Sequence, residues 1–196
     1  MIAGALTPGK TQRTDMSTTQ THLMTAEELL RLPDDSMCHE LIKGELLTMP
    51  PPGDLHGAVT MNLTGLLFIH VKTNNLGIMR AAETGFKLES NPDTVLAPDI
   101  AFITSDRAGP AVAGYRDGAP DLVVEVMSQW DTRPKAARKA ALWVELGARS
   151  VWVVNPRQRT VDVWWSNGER KQFHEADELI DDTVPGFCVK VSEIFA

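Results

Sequence analysis

The sequence predicts a mixed α/β domain of the α+β type: a mixed central sheet flanked by helices, with an added β-hairpin towards the C-terminal end. Three observations predict it. Apolar residues recur at helical spacing between about residues 54 and 74. Leu122 to Met127 is a continuous apolar run broken by a single acid, the pattern of a buried central strand. Ser166-Asn167-Gly168 joins two short strand-like segments in a strong hairpin signal. With 196 residues, 43% hydrophobic and 23% charged, the chain suits one domain of ordinary size with a proper core.

Residues 1 to 22 are polar and Thr-rich without periodicity, and are expected to form a disordered tail; Met16 and Met24 are both plausible alternative starts. A single domain is expected over 23–196. It opens with Thr25 as N-cap and Glu28 three residues on, a capping box for a short helix through Leu32 that Pro33, Asp34 and Asp35 stop. Glu40 to Met49 reads as a strand pair turning at Lys43-Gly44, broken by Pro50 to Gly53. In the long helix, Val59, Leu63, Leu66, Leu67 and His70 share a stripe, with His56 one turn before Val59.

The period then changes to two. Gly85 to Glu89 alternates, and Val95 to Ile103 is a second strand containing Pro98-Asp99. After a Gly-rich loop comes the buried strand at Leu122. A helix from Lys135 to Leu146 ends at Gly147, and Val151 to Val154 is another buried strand. Thr160 to Trp165 and Arg170 to Phe173 form the hairpin. Trp164 and Trp165 stand on opposite faces there, an interface or simply one core residue and one exposed.

Composition excludes several function classes. No run reaches the eighteen or so apolar residues of a membrane span, and Met1 to Leu6 is too short for a secretion signal's apolar core. Cys38 and Cys188 are too few for a disulfide framework and lack CxxC spacing, so a reducing cytoplasm is expected. A net charge of −7 argues against binding nucleic acid through a broad basic surface. It does not argue against a nuclease, whose carboxylates gather a divalent cation that alters the field a phosphate meets. The five histidines include no HExxH or paired spacing suited to zinc, and there is no Gly-rich phosphate loop.

Glu125 is the most informative residue. A carboxylate within Val123-Val124-Glu125-Val126 is costly unless it is paired, protonated or metal-bound; otherwise it lies at a strand end and reaches solvent or an arginine. Asp99, within Leu96-Ala97-Pro98-Asp99-Ile100, is a second acid in an apolar strand, and Pro98 signals an edge or irregularity there; taken alone, a turn-forming Asp after Pro is the better reading. Neighbouring strands can bring two such carboxylates close enough for magnesium. Lys139 lies with Leu142, Trp143 and Leu146 on the inward stripe of its helix, where a lysine either snorkels or meets a charge such as Glu125.

Glu40-Leu41-Ile42-Lys43-Gly44-Glu45, His56, Pro98-Asp99, Asp121 to Val126, Ser128, Asp131, Lys139 and Val151 to Pro156 occur in an order that resembles the Uma-type restriction endonucleases, a branch of the PD-(D/E)XK nuclease superfamily. The resemblance spans about Met24 to Val163. It implies a restriction-endonuclease-like core and a catalytic set of Asp99, Glu125 and Lys139. Asp99, Glu125 and the backbone carbonyl of Val126 would hold Mg2+ or Mn2+, with Glu40 as a further acidic member and His56 in support as a phosphate contact or as a partner of the metal-holding residues. For His56 a core histidine bonded to backbone is the open alternative. The superfamily's usual lysine, two residues after the strand acid, is Met127 here; the resemblance moves that role to Lys139, with Lys135 as the other occupant. Asn155-Pro156 stands for the family's more usual Asp-Pro, and Gln129-Trp130 for a common Pro-Ser. The implied activity is metal-dependent hydrolysis of phosphodiester bonds in DNA by a cytoplasmic homodimer. The rival expectation is a catalytically degenerate binding module for protein or nucleic acid on the same fold.

Overall fold

A computed structural model describes residues 22–196. The expected tail thus lies outside the described residues except for His22, whose ring meets Glu28 at 3.1 Å. The chain begins with α1 (Ala26–Leu30), in which Glu28 N–H donates to Thr25 Oγ1 and Thr25 N–H donates to Glu28 Oε2, so the capping box forms. Next, β1 (Cys38–Ile42) and β2 (Glu45–Met49) pair through a turn in which Lys43 and Gly44 have φ of 51° and 80°. Two consecutive positive φ values match the right-handed twist of the strands. The helix α2 (Asp54–Thr73) buries Val59, Leu63, Leu67 and Val71. Its inner stripe therefore advances in steps of four to Val71, and Leu66 and His70 flank it.

The strands β3 (Gly77–Ala81), β4 (Phe86–Glu89), β5 (Thr94–Leu96) and β6 (Ile100–Thr104) follow. The single strand expected over Val95 to Ile103 is in fact two strands in two different sheets. Pro98 lacks the N–H that a continuous ladder needs, and the chain turns from one sheet to the other at Ala97 to Asp99. A short β7 (Arg116–Asp117) precedes β8 (Leu122–Val126), the expected central strand. The helix α3 (Arg133–Glu145) begins two residues earlier than expected because Pro134 suits the first turn, where an N–H is not needed. Then come β9 (Ser150–Asn155), β10 (Thr160–Trp165), β11 (Arg170–Phe173), β12 (Glu178–Ile180), β13 (Cys188–Lys190) and α4 (Val191–Ile194).

The main sheet has six strands in the order β11-β10-β9-β8-β6-β3, mixed because β8 and β9 run parallel around α3. A second sheet of five, β2-β1-β5-β4-β7, packs beside it, and β12 and β13 pair with each other. One core joins α2 to Ile100, Phe102, Leu122, Val124 and Trp152; the other joins α3, through Trp143, to Phe86, Ala101, Val123 and Val153. Both faces of β8 are therefore covered, as its unbroken apolar run requires. In the hairpin, Trp165 packs on the first core and Trp164 on the second, with Arg170 stacked 3.7 Å over the Trp164 ring. Each tryptophan is half-buried on its own face.

Candidate active site

The site forms where the two sheets meet the first half of α3. Ile100 pairs with Val124 in the antiparallel ladder of β6 and β8, so the next step sets Asp99 across from Glu125. Asp99 N–H donates to Val124 O at 3.1 Å, and Val126 N–H donates to Asp99 Oδ2 at 2.7 Å. The corner at Pro98 thus fixes one acid against the end of the strand that carries the other. On its second oxygen Asp99 meets His56 Nε2 of α2 at 3.2 Å.

Alternation along β8 turns Glu125 towards α3, on the face of Val123. Lys139 Nζ donates to Glu125 at 3.0 Å, and one helical turn on, Trp143 Nε1 donates to Glu125 Oε1 at 2.7 Å. Lys139 also lies 3.0 Å from Glu40 Oε1. Glu40, on β1 of the other sheet, is 3% exposed and accepts a second bond from Ala97 N–H at 2.9 Å. One ammonium therefore bridges carboxylates from both sheets. Lys135, the other lysine considered, is half-exposed and pairs with Asp131 at 3.0 Å instead.

Electrostatics follow from crowding. Burial is the main reason that the Glu125 carboxyl is pushed up to about 7; the Lys139 charge works against this, and the charges of Asp99 and Glu40 add to it. Burial opposes the charge on Lys139, but Glu125 and Glu40 outweigh it and hold the ammonium above the ordinary lysine range. Burial likewise opposes protonation of His56, and the hydrogen bond and charge of Asp99 win, raising it above 6.5.

Three carboxylates facing one lysine and one histidine leave a surplus of negative charge in a part-buried place. Their oxygens are hard donors, so the donor set suits a hard divalent cation that would offset that surplus. Among the described residues no three His, Cys, Asp or Glu side chains are gathered closely enough to hold an ion by themselves. A magnesium ion needs only one or two carboxylates beside its waters.

Sequence reasoning placed Trp143 on the inward stripe as an apolar residue and missed its indole N–H as a donor; its position one turn after Lys139 was the available signal. Met127 packs among the apolar residues beneath α3, so the strand offers no lysine there, and Lys139 reaches the same carboxylate from the helix. Asn155 closes the turn at Pro156 by accepting from Arg157 and Gln158 N–H at 3.2 Å, the role an Asp also fills. Trp130 is 65% exposed on the segment leading to α3, where Arg157 donates to Ser128 O at 3.1 Å. A cleft of about 320 Å³ lined by His70 and Phe187 shares none of these residues.

Comparison with known proteins bears on the fold and the family. The crystal structure of a "putative nuclease belonging to DUF820" from Anabaena variabilis ATCC 29413 superposes with a TM-score of 0.75 at 20% identity, covering 88% of this chain and 97% of that one. At that identity it shows a shared fold. No curated protein matches the chain. The family model described as "Uma2: Putative restriction endonuclease" matches residues 26–192, from α1 into α4 and through every residue of the site. The chain belongs to the Uma2 family.

Proposed function

We propose that the protein is a magnesium- or manganese-dependent endonuclease that hydrolyses phosphodiester bonds in DNA. The observation that carries this reading is that Lys139 bridges Glu125 and Glu40 while Asp99 stands across the ladder from Glu125. Asp99 and Glu125, with the Val126 carbonyl, would hold the metal, and Glu40 would add to the acidic environment. When bound, the ion supplies Lewis acidity and a water of lowered pKa. Lys139, kept charged by its two carboxylates, would orient the attacking water or stabilise charge that develops on the phosphate. Val126 N–H holds Asp99 in one orientation, and His56 steadies its other oxygen. The cations of Lys135 in α3 and of Arg157, which reaches Ser128 O from the turn after β9, give a polyanion a local foothold despite the acidic whole.

The test is plasmid cleavage with magnesium or manganese by wild type, Asp99→Ala and Glu125→Ala. Metal-dependent cleavage by wild type and its loss in both variants is the expected result. Activity that survives both substitutions overturns the assignment. Absence of cleavage together with absence of metal binding by calorimetry points to a binding module on this fold.

A further inference from the structure

The outer side of α2 is apolar along almost its whole length. Asp54, Ala58, Met61, Gly65, Phe68 and Lys72 recur at alternating steps of four and three, on the side away from Val59, Leu63 and Leu67. That spacing is the seam of a two-helix coiled coil. Met61 is 67% exposed and Phe68 48%, and no Asp, Glu, Lys or Arg lies between Asp54 and Lys72. A helix that faces water on one side ordinarily carries charge there, and a contiguous apolar stretch marks a contact surface.

The seam is complementary to itself. A side chain built on Gly57 or Gly65 would meet nothing within 4 Å, so both are open notches beside Met61 and Phe68. A second α2 laid antiparallel, with a two-fold axis at the level of Leu63, sets Met61 against Gly65 and Phe68 against Ala58. Ile69 then faces Gly57, and Asp54 faces Lys72. Each large side chain meets a small one, both ends carry opposite charges, and the two-fold repeats every contact. We propose that this face is an antiparallel, two-fold interface with a second copy of the chain. His56 projects from the other side of α2, so the pairing leaves the contact with Asp99 uncovered.

Sedimentation velocity on the full chain across micromolar concentrations tests this. Wild type is expected to be dimeric, and Phe68→Glu monomeric with an unchanged circular dichroism spectrum. Lys72→Glu sets like charges together at both ends and should weaken the dimer about tenfold, as the loss of two exposed pairs predicts. Asp54→Lys combined with Lys72→Glu should restore the affinity. This charge series carries the test if Phe68→Glu fails to fold, because Asp54 and Lys72 are exposed at the helix ends. A monomeric wild type, a folded Phe68→Glu dimer of unchanged affinity, or a double variant no tighter than Lys72→Glu overturns the interface. Dimerisation that appears only after removal of residues 1–21 does so too, and assigns the face to that segment.

Discussion

The indole N–H of Trp143 donates to the Glu125 carboxylate at 2.7 Å from a side chain that is itself fully buried. The large apolar residue beneath α3 is thus also a polar support for the acid. Trp143→Phe keeps most of the packing and removes the donor. It should lower unfolding stability by about 1–3 kcal/mol in urea titrations, the cost of leaving a buried group unsatisfied. In a Glu125→Gln background the same substitution should cost less, because the neutral amide needs the donor less.

Lys139 separates Glu40 from Glu125, and Lys135 separates nothing. Lys139→Met should cost about 3–5 kcal/mol, since it strands the buried Glu40 and the largely buried Glu125, and should abolish metal-dependent cleavage. Lys135→Met should change stability by no more than about 0.5 kcal/mol, because its pair with Asp131 is half-exposed. Equal losses from the two substitutions would remove the distinction between the lysines.

The lead-in to α3 is pH-sensitive through Asp131. Burial works against its charge, but Ser128 N–H at 2.9 Å, the Ser128 hydroxyl and Lys135 prevail and hold its carboxyl below 3.8. A depressed folded-state value means that the stabilisation is fully present above pH 3.8 and disappears as pH falls through the folded value. Asp131→Asn should therefore lower stability at neutral pH and flatten the loss of stability on acidification. Chemical denaturation at a series of acidic pH values reads this out, and parallel curves for the two proteins would contradict it.

Gly77 opens β3 at a φ of 156°, and a Cβ there would stand 2.0 Å from Ile103 O, a backbone atom that cannot swing aside. Gly77→Ala should cost at least about 2 kcal/mol through the clash and the strained backbone. Gly65→Ala, where space is open and the residue is helical, should leave the unfolding free energy of the monomer unchanged or slightly raised. Thermal denaturation of the two variants side by side checks the contrast.

Features encoded by local chemistry were legible in the sequence. The Thr25–Glu28 box, the Lys43-Gly44 turn, the central strand at Glu125 and the Asn167-Gly168 hairpin each depend on neighbours a few residues away. The division into two sheets was not legible, because the apolar pattern runs through Pro98 without a break and period alone does not say which sheet a strand joins. β3 was missed because it is a half-exposed edge strand without alternation. β12 and β13 were missed because each has only three residues, too few to show alternation. In the site, the inward position of Lys139 followed from helical spacing. Its second carboxylate, Glu40, belongs to the far end of the chain, and no spacing rule reaches that far.

The corner at Pro98 and Asp99 has a bearing on how the protein matures. Glu40 belongs to one sheet and Glu125 to the other, with Asp99 at the crossing and Lys139 spanning the join. Neither sheet alone assembles the cluster, and contacts so distant along the chain form late, after loop closure has been overcome. A nascent or partly unfolded chain therefore holds scattered acids with no shared centre. The acids share a centre only where the two sheets are docked.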